Sequence, residues 1–167
     1  GKYNKDIPAD NECFYRLYRR KDMNILLASL CKLLKEHETI GDYIKNNSST
    51  GLEAVIALTN WFAYNESGGI IPKNTTSACK RICMFLRWMV RDNSPVDLGL
   101  WSHFIDKRSL IMPMDTHVVQ EAISLELIRT KSASMTNAIK LTQRLSQIFP
   151  DDPLKGDFAL FGYGVNK

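Results

Sequence analysis

Residues 79–91 read Cys-Lys-Arg-Ile-Cys-Met-Phe-Leu-Arg-Trp-Met-Val-Arg, and this stretch has the period of an amphipathic α-helix. At about 100° per residue, four positions fall within roughly 60° of one another on one side: Lys80, Met84, Arg87 and Arg91. Apolar side chains fill the opposite side: Ile82, Phe85, Leu86, Met89 and Val90. The pattern predicts a helix that is buried on one face and shows three cations on the other. A row of cations is typical of a surface that binds a polyanion.

A second informative stretch, Pro113-Met114-Asp115-Thr116-His117-Val118, places a carboxylate where a helix is predicted to begin. Aspartate is a strong N-cap residue, and such a cap contributes about 1 kcal/mol of stability. The same carboxylate stays ionised beside the helix dipole and can face a cleft. Asp115 therefore has two interpretations, a structural cap and a catalytic carboxylate. Lys80 likewise has two, a solvated lysine and a nucleophile.

Nearly every other segment also has a period close to 3.6, which predicts an all-α fold. Capping signals are assigned to Asp22, to Thr50 with Glu53, to one of Thr75, Thr76 and Ser77, and to Asp115. The helices that these signals predict cover residues 22–38, 40–45, 52–63, 77–91, 98–104, 115–128, 134–149 and 151–161. Residues 1–20 are predicted to be a poorly defined N-terminal segment, and residues 21–167 a single helical domain.

The composition is that of an ordinary globular protein, with 44% hydrophobic and 24% charged residues and a net charge of +4. No apolar run approaches the roughly 20 residues of a membrane span, and no signal peptide opens the chain, so no membrane partner is expected. The mildly basic charge permits nucleic-acid binding without requiring it.

The four cysteines, Cys13, Cys31, Cys79 and Cys83, lack the spacing of zinc or iron–sulfur sites. No metal and no cofactor are therefore expected. Cys79 and Cys83 lie one helical turn apart, where they either share a redox or metal role or pack at the edge of the core, and packing is favoured. The cysteine usage predicts a reduced, cytoplasmic protein.

Several side chains near the cationic helix have alternative roles. Trp88 lies between its basic and apolar faces and either packs in the core or stacks on a base. His117 is either a hydrogen-bonding helix residue or part of a catalytic pocket. Lys155 and Asp157 are either solvated or reach towards the same cleft, while Phe158 and Phe161 are assigned to the core.

Five segments together resemble an uncharacterised bacterial family of the helix–hairpin–helix DNA glycosylase superfamily. They comprise residues 77–81, 84–91, 96–101, 113–118 and 152–162. The Asp115 segment is more distantly similar to that of endonuclease III, and the position of Lys80 is similar to that of the lysine in archaeal 8-oxoguanine DNA glycosylases. The resemblance implies a glycosylase-like helical domain whose usual N-terminal part is absent from this sequence or has diverged. The usual Leu-Pro-Gly-Val-Gly hairpin is replaced by residues 71–76.

The resemblance also implies an activity, namely DNA repair by a bifunctional DNA glycosylase and abasic-site lyase acting on an oxidised purine such as 8-oxoguanine. Lys80 would attack the sugar C1′ and form a Schiff base, and Asp115 would assist. The expected DNA contacts are Lys73, Arg81, Arg87 and Arg91, and the expected base pocket contains Trp88 and His117. The alternatives are a non-catalytic nucleic-acid-binding module and an α-helical protein-interaction domain.

Overall fold

The computed structural model describes residues 3–165, and it is mostly helical, as the sequence predicts. The N-terminal elements are α1 (Tyr3–Asp6), β1 (Cys13–Tyr15) and β2 (Tyr18–Arg19), followed by α2 (Arg20–His37), α3 (Ile40–Asn47) and α4 (Gly51–Asn65). The remaining elements are α5 (Lys80–Val90), a 3-10 turn (Lys107–Ser109), α6 (Thr116–Ser124), α7 (Met135–Ile148) and α8 (Lys155–Val165). The outermost residues of the predicted segments, 1–2 and 166–167, lie outside the described residues.

Two of the predicted caps are present. Thr50 Oγ1 accepts a hydrogen bond from the Glu53 amide, and Glu53 returns one by accepting from the Thr50 amide, each at 3.2 Å. Asp115 Oδ1 accepts from the Val118 amide at 2.9 Å. Each pair satisfies amide groups that a helix leaves without a partner in its first turn.

Other predicted boundaries are wrong. Asp22 is not the cap of α2 but its third residue, and its carboxylate accepts from the Arg19 amide at 2.8 Å. No Thr or Ser caps α5, because the chain turns into it through Cys79, whose φ of 45° is left-handed. Residues 98–104 do not form a helix, since 98 and 99 are irregular and 100–104 form turns, and α6 ends at Ser124, short of the predicted end at residue 128.

The buried core lies between the long helices. Helix α4 packs against α5, and α6 packs against α8. Fully buried side chains come from widely separated parts of the chain: Leu33, Ile44, Leu86, Ile105, Met112, Leu141 and Leu154. One close approach depends on glycine, since a Cβ added at Gly51 would lie 2.6 Å from the Ser109 carbonyl oxygen. Gly51 thus allows the start of α4 to lie against the 3-10 turn of Lys107–Ser109.

The N-terminal segment contains more regular structure than its sequence indicates. Strands β1 and β2 form an antiparallel hairpin in which Cys13 pairs with Arg19 and Tyr15 with Tyr18. These strands are too short to give a period-two signal. Within residues 3–165, no helix combines the length and the apolar character needed to cross a bilayer.

Candidate active-site cleft

A cavity of about 480 Å³ lies where α5, α6 and α8 meet. Its lining includes Lys80 and Met84 from α5 and Asp115 and His117 at the start of α6. The α8 side of the cavity is formed by Asp157, Phe158, Leu160 and Phe161. Both catalytic residues predicted from the sequence therefore line a single cavity, together with one of the two predicted base-pocket residues.

Lys80 and Asp115 are in direct contact. Lys80 Nζ donates to Asp115 Oδ2 at 2.7 Å across 35 residues of sequence, while Asp115 Oδ1 holds the Val118 amide. The Lys80 side chain is 44% exposed and that of Asp115 is 33% exposed, so both are accessible from solvent. Lys80 is the first residue of α5 and follows the left-handed turn at Cys79. A left-handed conformation at a non-glycine residue is uncommon and is often found beside functional sites.

Asp115 is held as a carboxylate. Partial burial acts to raise its pKa, but the hydrogen bonds from Lys80 and the Val118 amide, with the charges of Lys80 and His117, outweigh burial and lower it. A carboxylate with a lowered pKa is ionised at neutral pH and is a weak proton acceptor. It is suited to stabilising positive charge in the cavity.

Glu121 and Asp157 also line the cavity, and the pKa of Asp157 shifts in the opposite direction from that of Asp115. Burial raises the pKa of Asp157, the Arg87 guanidinium partly offsets that increase, and the negative charge of Asp115 adds to it. The cavity therefore contains an ionised carboxylate at its accessible edge and a buried one that holds a proton more readily. The sequence leaves open whether Lys155 and Asp157 are solvated or reach this cleft. Asp157 lines it, whereas Lys155 is exposed and is not among its lining residues.

The sequence predicts that Lys80, Arg87 and Arg91 are exposed on one face of α5, and this prediction is wrong for the two arginines. Arg87 and Arg91 are only 7% and 4% exposed, and both donate to Asp97, whose side chain has no exposed area. Arg87 also pairs with Asp157, and Arg91 holds Asp152 through Nε and Nη2 at 2.8–3.1 Å. Five charged side chains form this buried ionic network: Arg87, Arg91, Asp97, Asp152 and Asp157.

The network neutralises both arginines. Burial acts to lower the pKa of Arg91, but the carboxylates of Asp152 and Asp97 outweigh that effect and raise it. Charges taken out of water need such partners, since an unpaired buried ion costs several kcal/mol. Arg87 and Arg91 are therefore paired with carboxylates of the chain itself, and the DNA contacts predicted for them stay predictions. The helical period places them on one face, but it does not show that Asp97 of the following loop and the distant Asp152 and Asp157 pair with them.

The core location predicted for Phe158 and Phe161 is also wrong. The sequence assigns them to the core, yet they are 45% and 68% exposed and line the cavity. The guanidinium carbons of Arg87 and Arg91 lie 4.9 Å and 5.5 Å from the centre of the Phe158 ring. The ionic network thus supports an aromatic ring whose other surface is accessible.

The remaining predicted site residues lie in different surroundings. Lys73 is exposed in the loop before α5. Arg81 donates to Tyr18 Oη at 2.6 Å and to the Ile70 carbonyl at 2.8 Å, and its guanidinium lies over the Tyr18 ring. Trp88 is 45% exposed but is not among the residues that line the cavity, so only His117 of the predicted base pocket lies there.

Two free cysteines, one just before α5 and one within it, pack in the core. Cys79 and Cys83 are both buried, and burial together with the nearby Cys79 thiol raises the pKa of Cys83 to about 12. A thiol with such a pKa is not reactive at neutral pH. Across residues 3–165, no group of three or more His, Cys, Asp or Glu side chains has the geometry to hold a metal ion.

Neither the curated proteins nor the solved structures include a match to this chain. A family match covers nearly its whole length, extending over residues 2–166. The chain therefore belongs to the family described as Protein of unknown function (DUF2400).

Proposed function

We propose that this protein is a bifunctional DNA glycosylase and abasic-site lyase of the helix–hairpin–helix glycosylase type. Its substrate would be duplex DNA with an oxidised purine such as 8-oxoguanine. One observation carries the proposal: an accessible lysine amine lies 2.7 Å from a carboxylate at a cavity of about 480 Å³. This volume is within the range of small-molecule sites, about 300–1,000 Å³. A lysine nucleophile and a carboxylate beside a pocket are the groups that base excision through a Schiff base requires.

In the proposed reaction Lys80 Nζ, as the neutral amine, attacks the sugar C1′. A bond forms between Nζ and C1′ as the bond from C1′ to the base breaks, and the base leaves with that electron pair and takes a proton from water. After Nζ loses a proton, the ring oxygen departs from C1′, is protonated, and leaves an iminium between Lys80 and the opened sugar. Loss of a C2′ proton then expels the 3′ phosphate, and water releases the lysine.

Asp115 would act mainly through its charge. Its lowered pKa makes it a carboxylate at neutral pH, so it offsets the positive charge that develops on the sugar as the base departs. Its hydrogen bond also fixes Lys80 Nζ at the cavity. The Lys80 side chain is 44% exposed, so the sugar of a bound nucleotide can reach its amine.

The cavity offers a flipped base the two kinds of contact that it needs. Phe158 and Phe161 supply aromatic surface, and the Arg87–Asp157 ion pair supplies hydrogen-bonding groups at the buried side. Enzymes of this kind read an extruded base through stacking and a few polar contacts. With Arg87 and Arg91 neutralised, Lys73, Arg81 and the start of α5 remain as proposed phosphate contacts.

The experiment that tests the proposal is borohydride trapping on labelled duplexes containing 8-oxoguanine or an abasic site. Borohydride reduces the iminium to a stable amine and leaves a covalent protein–DNA adduct. The wild-type chain should give an adduct, whereas Lys80→Ala and Lys80→Arg should give none. Lys140→Ala, which removes an exposed lysine of α7, is the matched control and should trap like wild type. Full trapping by Lys80→Ala would reject the assignment of Lys80.

The second candidate is a non-catalytic nucleic-acid-binding module. One observation favours it: the ion pair of Lys80 with Asp115 is complete without a ligand, as in an ordinary structural salt bridge. Lys80→Arg separates the two functions because arginine keeps the positive charge but cannot form a Schiff base. If wild type and Lys80→Arg bind DNA with the same salt dependence and neither gives an adduct, the non-catalytic nucleic-acid-binding module is favoured.

A further inference from the structure

Asp97 lies in the loop that follows α5, and its side chain has no exposed area. Its two carboxylate oxygens hold two different arginines of α5. Oδ1 accepts from Arg87 Nε at 3.3 Å, and Oδ2 accepts from Arg91 Nη1 at 2.6 Å. A buried carboxylate that accepts from a separate cation on each oxygen is firmly oriented. Asp97 therefore fixes the Nε end of the Arg87 guanidinium.

The residues after Asp97 are attached to α5. The Leu98 and Gly99 amides donate to the Trp88 carbonyl at 2.6 Å and 3.4 Å, near the end of the helix, where carbonyl groups lack helical partners. Gly99 has a φ of 64°, and a Cβ at this position would lie 3.1 Å from the Asp92 Cα. The loop thus turns closely against α5 and holds Asp97 at the two arginines.

The other end of the Arg87 guanidinium lies at the cavity. Arg87 Nη1 donates to Asp157 Oδ2, and both residues line the cavity. Phe158 lines it too, and its ring centre lies 4.9 Å from the Arg87 guanidinium carbon. One guanidinium thus connects Asp97, which no ligand can reach, with Asp157, which a ligand in the cavity can reach.

The buried ionic network contains three carboxylates and two arginines, so its charges do not cancel. Asp97 accepts on both oxygens, and Asp152 accepts three hydrogen bonds from Arg91. Asp157 accepts from Arg87 on Oδ2 alone, since no donor among the described residues lies on its Oδ1. The network therefore leaves its excess negative charge on Asp157, the carboxylate that lines the cavity.

We propose that Asp97 is a positioning residue for the candidate cleft. By holding Arg87 Nε, it directs Nη1 to Asp157 and takes up part of the positive charge of Arg87, which leaves Asp157 an oxygen for the N–H groups of a bound base. This inference rests on the proposed function, because that base is the one the glycosylase would remove. Asp97 touches neither the base nor the sugar, so its effect on base removal passes through Arg87.

The test compares two substitutions in the same network, Asp97→Asn and Asp152→Asn. Each replaces a buried carboxylate partner of Arg91, but of the two only Asp97 also holds Arg87. Urea unfolding measures the stability that each variant loses, so Asp152→Asn controls for a purely structural effect. Single-turnover rates are measured on a duplex containing 8-oxoguanine and on a duplex containing an abasic site, which has no base to bind.

Asp97→Asn should lower the ratio of the 8-oxoguanine rate to the abasic rate by about 10- to 100-fold, the scale of misplacing a group that orients the substrate. The ratio reports the position of the Asp157 carboxyl, because only the first substrate has a base for it to hold. Asp152→Asn should keep the wild-type ratio. A wild-type ratio in Asp97→Asn would overturn the proposal, and so would an equally lowered ratio in Asp152→Asn.

The titration of the Asp157 carboxyl is a second test that does not require the lyase. The NMR resonance of its carboxyl carbon, identified by its loss in Asp157→Asn, is followed through the acidic pH range. The asparagine of Asp97→Asn keeps an oxygen for Arg87 but not the negative charge, so this variant should lower the Asp157 midpoint more than Asp152→Asn does. Equal midpoints in the two variants would overturn the proposal. Both variants retain the other titratable groups at the cavity: Lys80, Asp115, His117 and Glu121.

The two tests also separate this proposal from the proposed function. If wild type gives no adduct with borohydride but Asp97→Asn lowers the Asp157 midpoint as expected, the lyase is wrong and the positioning by Asp97 stands. If wild type gives an adduct but Asp97→Asn changes neither the rate ratio nor the midpoint, the lyase stands and the positioning is wrong.

Discussion

Lys80 Nζ and Asp115 Oδ2 lie 2.7 Å apart and join the first residue of α5 to the N-cap of α6. Two helix starts meet at this point, which fixes both side chains at the edge of the cavity. The Asp115 carboxylate has two distinct partners, one on each oxygen, and is therefore both a cap and a cleft residue. Substitutions at Asp115 that keep one role and remove the other can test these roles separately.

Asp115→Asn should slow single-turnover lyase activity by about 100-fold, the scale of losing one group that stabilises transition-state charge. Asparagine caps a helix as well as aspartate, so Asp115→Asn should lose only the ion pair with Lys80, worth at most about 1 kcal/mol, whereas Asp115→Ala should also lose the cap, worth about 1 kcal/mol more. Single-turnover kinetics measures the activity of both variants, and urea unfolding measures their stability. An Asp115→Asn protein as active as wild type would show that the charge has no part in catalysis.

The ion pair should also make stability depend on pH. Because the folded-state pKa of Asp115 is lowered, the unfolded chain binds its proton more tightly. The stabilisation is therefore fully present above the unfolded value of about 3.9 and is lost as pH falls through the folded pKa. Urea unfolding between pH 7 and about pH 2 should show wild type losing more stability than Asp115→Asn. If wild type and Asp115→Asn lost the same stability between pH 7 and about pH 2, the link between the Asp115 pKa and stability would be contradicted.

Arg91 should matter for folding and not for DNA binding. Arg91→Ala removes a buried cation and leaves Asp152 and Asp97 with fewer partners, which should cost about 3–5 kcal/mol. Arg108→Ala is the matched control, because its ion pair with Asp106 is exposed and should be worth at most about 1 kcal/mol. The free energy of unfolding measures both, and a loss for Arg91→Ala no larger than that of the control would refute the structural role.

Lys73 should contribute to DNA affinity through phosphate contact alone. Lys73→Ala should weaken binding to any duplex sequence and reduce the slope of log affinity against log salt by about 0.9. Fluorescence anisotropy at several salt concentrations, with Lys140→Ala as the exposed control, gives both quantities. An unchanged slope would remove Lys73 from the DNA-binding surface.

Much of the fold follows from local sequence. Thr50 with Glu53 and Asp115 are visible as caps because a capping pair involves residues only three positions apart. The helical period likewise indicates which face of α5 is apolar. No spacing rule predicts the pairing of Lys80 with Asp115 across 35 residues, and it is the resemblance to glycosylases that implies it.

The predictions from sequence are wrong where contacts with other parts of the chain determine whether a side chain is buried or exposed. Arg87 and Arg91 look like a solvated cationic face because their partners Asp97, Asp152 and Asp157 lie up to 70 residues away. Phe158 and Phe161 look like core residues because hydrophobicity does not reveal that α8 presents them at a cavity. The periodicity of one helix cannot report what packs on its polar side.

The most direct test of the central claim is to locate the trapped adduct within the protein. After borohydride reduction and nuclease digestion, trypsin should fail to cleave at a modified Lys80 and release residues 74–81, Asn-Thr-Thr-Ser-Ala-Cys-Lys-Arg, with the mass of the reduced sugar remnant on the lysine. That peptide, absent from Lys80→Ala, is the result that the account predicts. A remnant on another lysine, or no covalent adduct despite salt-sensitive DNA binding, would contradict it.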